Sequence, residues 1–77
     1  MAEFRLLSRA GCHLCEEFEQ ALAAELPQIA ARLEVLDIDQ YPEWQARFGR
    51  RIPVLINRNG AVLCEGIFDA QRVTGNL

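Results

Sequence analysis

Two thiols three residues apart, in the run Cys12-His13-Leu14-Cys15, are the side chains of this 77-residue chain best placed by type and spacing to do chemistry. They stand where a β-like run gives way to a helical pattern. A cysteine at the mouth of a helix, with another one turn later, can close a small disulfide ring. The first sulfur then faces unpaired backbone N–H groups and the positive end of the helix dipole, both of which favour thiolate over thiol. In such a pair one sulfur attacks a disulfide and its neighbour resolves the mixed intermediate. Other readings of a bare C-x-x-C are two inert structural thiols, half of a zinc site, or a ligand pair for an Fe–S cluster bridged between two chains. Inert thiols have no reason to take this spacing at a helix start. Zinc needs a fourth ligand beyond Cys12, His13 and Cys15, and adjacent residues seldom ligate one ion well, so no metal is expected.

The neighbouring charges divide. Arg9, Arg50 and Arg51 favour a thiolate at Cys12, whereas Glu16, Glu17 and Glu19 oppose it. His13 either supports the thiolate when protonated or simply faces solvent from the first helical turn. Cys64 reads as a small buried hydrophobe. Trp44 and Phe48 read as core, and Asp37 and Asp39 as caps at a strand end in preference to a metal pair.

Composition narrows the class. Hydrophobic residues make up 51% and charged residues 25%, an ordinary globular balance that argues against disorder. Seventy-seven residues are expected to form one domain, 1–77, with a small core, burying roughly 60% of the surface its unfolded form exposes. A net charge of −3 with scattered basic residues disfavours nucleic acid. All eight basic residues are arginine, so no lysine is present for Schiff-base chemistry. The start, Met1-Ala2-Glu3-Phe4-Arg5, places an acid ahead of an apolar run that breaks at Ser8-Arg9, which is not a signal-peptide pattern. No apolar stretch approaches a membrane span. A cytoplasmic monomer is expected, and three cysteines there read as catalytic or metal-binding thiols, not as a disulfide framework.

The elements that must position the thiols follow from patterning. Phe4 to Leu7 reads as a first strand and Ser8 to Gly11 as a loop. A helix starts near His13 with Leu14, Phe18, Ala21, Leu22 and Leu26 at helical spacing. Pro27 ends or kinks it, and Ile29, Ala30 and Leu33 add up to one more turn. Leu33 to Ile38 reads as a second strand, and strand, helix, strand implies a right-handed unit with parallel strands. Pro42 opens a short helix that Gly49 is expected to stop. Ile52 to Ile56 forms a strand with its proline near the start, Asn59-Gly60 reads as a hairpin turn into Ala61 to Glu65, and Asp69 caps a last, very short helix.

The order β-α-β-α-β-β-α, with C-x-x-C before the first helix and Ile-Pro before the hairpin, resembles the thioredoxin-like fold and, within it, the glutaredoxin family. Ser8-Arg9-Ala10-Gly11-Cys12-His13-Leu14-Cys15 is similar to the glutaredoxin active-site run. Phe48-Gly49-Arg50-Arg51-Ile52-Pro53-Val54-Leu55, followed by Asn59-Gly60, is similar to the cis-proline segment. The resemblance implies an α/β fold with a four-stranded mixed sheet flanked by helices, and a small thiol-disulfide oxidoreductase in which Cys12 attacks and Cys15 resolves. It implies a cis Ile52–Pro53 bond whose preceding backbone, at Arg51 and Ile52, offers free groups to an extended substrate. Arg9 falls where glutaredoxins often place a base for a glutathione carboxylate, and Gly66 and Asp69 fall near the segment that grips the other end of glutathione. With His13 and Arg51 these complete the candidate binding set. Protein or small disulfides are the implied partners, with glutathione as a co-substrate and no resident cofactor. The chain departs from the family's pattern at Gly11, at His13-Leu14, where many glutaredoxins carry Pro-Tyr, and at Arg51-Ile52-Pro53, where Thr-Val-Pro is usual. A binding module of the same fold, holding a partner peptide beside Pro53 with little redox turnover, is the alternative from another class.

Overall fold

The computed structural model describes residues 3–77. Four strands form one mixed sheet in the order β2-β1-β3-β4: β1 (Phe4–Ser8), β2 (Leu33–Asp37), β3 (Val54–Asn57) and β4 (Val62–Glu65). β1 runs parallel to β2, with Leu6 beside Val35, and antiparallel to β3, with Leu7 opposite Val54. Between β1 and β2 the chain forms α1 (His13–Glu25) and α2 (Pro27–Ala30). A 3₁₀ turn (Ile38–Gln40) and α3 (Pro42–Phe48) lead to β3, and α4 (Ala70–Gly75) follows β4.

Burial follows the period of each element. Phe18 and Leu22 of α1 pack with Phe4, Leu6 and Leu55 on one face of the sheet, joined by Val73 of α4. Leu7, Val54 and Ile56 point to the other face, where Phe48 of α3 and Ile38 cover them. Successive residues of β1 and β3 therefore feed opposite layers, as a pleated strand requires. The middle of each central strand, Leu6-Leu7 in β1 and Val54-Leu55-Ile56 in β3, is a continuous apolar run because both faces are covered there.

Several local features differ from the sequence reading. β3 begins at Val54, two residues later than expected, because Ile52 and Pro53 precede the first ladder pair. The hairpin is not a two-residue Asn59-Gly60 turn. Gly60 N–H donates to the Asn57 carbonyl and Asn57 N–H to the Ala61 carbonyl, with Gly60 at φ +84° and Asn59 at negative φ. This is a three-residue loop, a type I turn closed by a left-handed glycine. A bulge between the Leu55–Cys64 and Ile56–Val62 pairs lets Leu63 and Cys64 both enter the α1 core. Gly49 closes α3 in right-handed helical conformation, φ −56°, so no left-handed glycine cap stops that helix. Leu33 joins β2 and does not extend α2. Asp37 does cap, its Oδ1 accepting the Asp39 N–H at 3.0 Å. Among the described residues, no helix is long and apolar enough to cross a membrane.

Candidate active site

Strand direction brings the candidate residues to one end of the sheet. β1 ends at Ser8, from which the Cys12 loop springs, and β2, parallel to it, ends at Asp37. The antiparallel β3 begins at that end, so Pro53, one residue before the Leu7–Val54 pair, comes opposite Ser8. β4 returns there as well, with Glu65 opposite Val54 and Gly66 just beyond.

Gly11, at φ +79°, turns the loop in a conformation that side chains other than glycine's rarely adopt. Cys12 then occupies the N-cap position of α1, with extended backbone. Its N–H donates to the Arg9 carbonyl at 3.1 Å, and its carbonyl accepts the Glu16 N–H at 3.1 Å. Its sulfur takes the place that a serine or aspartate oxygen fills in ordinary caps, accepting the Cys15 N–H at 3.2 Å. Cys12 and Cys15 are joined by a disulfide, with Cα atoms 5.2 Å apart. Cys12 is half-buried and Cys15 is 1% exposed. The helix register produces this asymmetry, because Cys15 lies on the same stripe as Phe18 and Leu22.

The Ile52–Pro53 peptide bond is cis, and Pro53 is fully buried. The Pro53 carbonyl accepts the Gly66 N–H at 2.8 Å. Arg51 N–H donates to the Phe48 carbonyl at 2.8 Å, so this donor is occupied, contrary to the expectation that the Arg51 backbone is free. Ile52 differs: among the described residues its N–H and carbonyl have no hydrogen-bond partner.

The two candidate arginines each hold an acid in a two-point grip. Arg9 donates from Nε and Nη2 to Asp39 at 2.9 and 2.8 Å, and Gln45 Nε2 adds a third bond to Asp39 at 2.8 Å. Arg51 donates from Nε and Nη2 to Glu65 at 2.7 and 2.6 Å, with its guanidinium over the Phe48 ring. Hydrogen bonds from Arg9 and Gln45 hold the Asp39 carboxyl below the usual carboxylate range, and those from Arg51 do the same for Glu65. Asp69 caps α4, its Oδ1 accepting the N–H groups of Gln71 and Arg72. Gly66 takes φ +75°. His13 is exposed, with Nε2 2.9 Å from Glu17 Oε1.

Asp39 and Glu65 as partners of these arginines were not foreseen from sequence. Thirty and fourteen residues separate the pairs, and only the register of the finished sheet brings them together. Cys64 is buried, its thiol directed at the Ile67 carbonyl. Among the described residues no cluster of His, Cys, Asp or Glu is arranged to hold a metal ion.

A model of the glutaredoxin-like domain (DUF836) matches residues 3–77. The chain belongs to that family. Among solved structures, this glutaredoxin-like chain is similar to a Nitrosomonas europaea protein determined by solution NMR, with TM-score 0.82 and 29% identity over 97% of this chain and 89% of that one. It is also similar to an X. campestris protein determined by X-ray diffraction, with TM-score 0.72 and 30% identity over 94% of this chain and 91% of that one. No curated protein matches the chain. The thioredoxin-like, glutaredoxin-type architecture expected from the two motifs is the one observed.

Proposed function

We propose that this glutaredoxin-like chain is a thiol-disulfide oxidoreductase that cycles between a Cys12/Cys15 dithiol and the disulfide. The observation that carries the reading is the Cys15 N–H aimed at the Cys12 sulfur from the first turn of α1. An N–H so placed stabilises negative charge on that sulfur, as the helix terminus does, and lowers the cost of forming the attacking thiolate.

In the reduced chain the Cys12 thiolate attacks one sulfur of a substrate disulfide, forming a mixed disulfide and releasing the other sulfur as a thiolate, which takes up a proton. Cys15 then loses its proton and attacks the Cys12 sulfur, expelling the second substrate thiolate and closing the Cys12–Cys15 bond. Two electrons and two protons pass to the substrate, and an external thiol or dithiol restores the pair. The free N–H and carbonyl of Ile52 would receive the substrate backbone as an added strand, a mode that needs no matching side chains. The reading places the chain as a monomer in the reducing cytoplasm.

The test is reduction of bis(2-hydroxyethyl) disulfide with dithiothreitol as reductant. Catalysed turnover that is lost in Cys12→Ser supports the reading. Turnover equal to that of free cysteine at the same concentration would contradict it.

A further inference from the structure

A groove of about 380 Å³, lined in part by Leu14 of the Cys12–Cys15 run, lies between α1 and the loop after β4. Its walls carry two of the five exposed large apolar side chains among the described residues, Leu14, 41% exposed, and Ile67, 79% exposed. Leu14 lies inside the Cys12–Cys15 ring, so one wall is continuous with the redox centre. The floor is Phe18, packed edge-on against Phe68 with ring centroids 5.4 Å apart.

The charge on this groove has one sign. Glu17 and Glu25 line it, and no arginine does. α1 carries Glu16 and Glu19 besides and contains no lysine or arginine, His13 beside Glu17 being its one basic side chain. Arg9, three residues before Cys12, and Arg51, two residues before Pro53, are paired with Asp39 and Glu65. Glutathione, an anion with two carboxylates, would meet this acidic flank and be repelled by it.

Resting on the redox reading above, we infer that the substrate of this site is a disulfide carried on an extended polypeptide segment with apolar and cationic residues beside its cysteine, and not glutathione. The apolar side chain of such a segment lies between Leu14 and Ile67, and its basic residues meet Glu17 and Glu25. Burial of the exposed apolar pair supplies affinity, and the acids set the sense of discrimination and speed the encounter.

The experiment uses the reduced full chain at pH 8 and low salt with four probes. Two are cysteine peptides in mixed disulfide with 2-mercaptoethanol, identical but for Lys or Glu at the positions flanking a Cys-Leu core. The others are glutathione disulfide and the neutral bis(2-hydroxyethyl) disulfide. The lysine peptide is expected to react about tenfold faster than the glutamate peptide, the size of two exposed ion pairs acting together. It should also outrun glutathione disulfide, and the preference should shrink as salt is raised to about 0.5 M, where the screening length falls to a few ångströms. Glu17→Gln/Glu25→Gln should cut the lysine preference, and Ile67→Ser should lower the peptide-to-neutral rate ratio. Turnover of the neutral disulfide with no peptide preference, or with glutathione disulfide fastest, overturns the inference and leaves the redox reading standing. No turnover of any probe overturns the redox reading and the inference with it.

Discussion

Arg51 grips Glu65 through two hydrogen bonds of 2.7 and 2.6 Å, tying the segment before Pro53 to the end of β4. The adjacent Gly66 N–H bonds the Pro53 carbonyl, so the two segments are joined by side chain and backbone together. That pairing fixes the loop that follows β4 against the cis-proline segment and engages the Arg51 guanidinium.

The Arg51–Glu65 pair gives stability a signature in pH. Because the folded Glu65 carboxyl titrates below its unfolded value, the stabilisation is present at neutral pH and is lost as pH falls below about 4 and through the depressed folded value. Glu65→Gln should flatten the acid limb of the stability profile measured by urea unfolding. An acid limb unchanged by that substitution would show the pair to be energetically silent.

Releasing the arginines should alter specificity. In Asp39→Asn/Glu65→Gln both guanidiniums lose their carboxylates, and glutathione disulfide should react about three- to tenfold faster, as expected when two surface cations become available. Rates for the neutral disulfide serve as the reference. No gain for glutathione would show that the ion pairs are not what excludes it.

Asp69 is a helix cap in this structure. Asp69→Ala should destabilise the chain by about 0.5–2 kcal/mol, and Asp69→Asn by much less, because an amide oxygen can still accept the Gln71 and Arg72 N–H groups. Gly66→Ala should cost about 1–2 kcal/mol from the positive φ alone, since an added Cβ meets nothing within 4 Å.

The core prediction is steeper. Leu22, fully buried between α1 and the sheet, should lose about 2–5 kcal/mol on truncation to Ala, whereas Leu14→Ala should change unfolding free energy little, its side chain being 41% exposed. Equal losses at the two positions would mean that α1 packs with another face.

Much of this was legible in sequence because the signals were local. The apolar stripe Phe18, Leu22 and Leu26 and the prolines at 27 and 42 fixed the helices, and the dipeptide Ile52-Pro53 with the C-x-x-C run pointed to the family. Reading failed where the outcome depends on neighbours in space. The start of β3 is set by where Leu7 finds a partner, and the bulge at Leu63 by the need to bury two successive residues. The Arg51 N–H is taken by Phe48, a contact no spacing rule announces. The pairing of Arg9 with Asp39 and of Arg51 with Glu65 appears only once β1, β2, β3 and β4 bring their ends together.

The division of labour between the two cysteines is tested most directly by trapping. Cys15→Ser keeps the attacking sulfur and removes the resolving one, so incubation with a disulfide-bearing peptide should accumulate a mixed disulfide, and mass spectrometry after proteolysis should place it on Cys12. Cys12→Ser should trap little, because both remaining thiols are buried, Cys15 1% exposed on the packed face of α1 and Cys64 3% exposed on β4. Equal trapping by the two variants, or adducts on Cys15 or Cys64 in place of Cys12, would contradict the account.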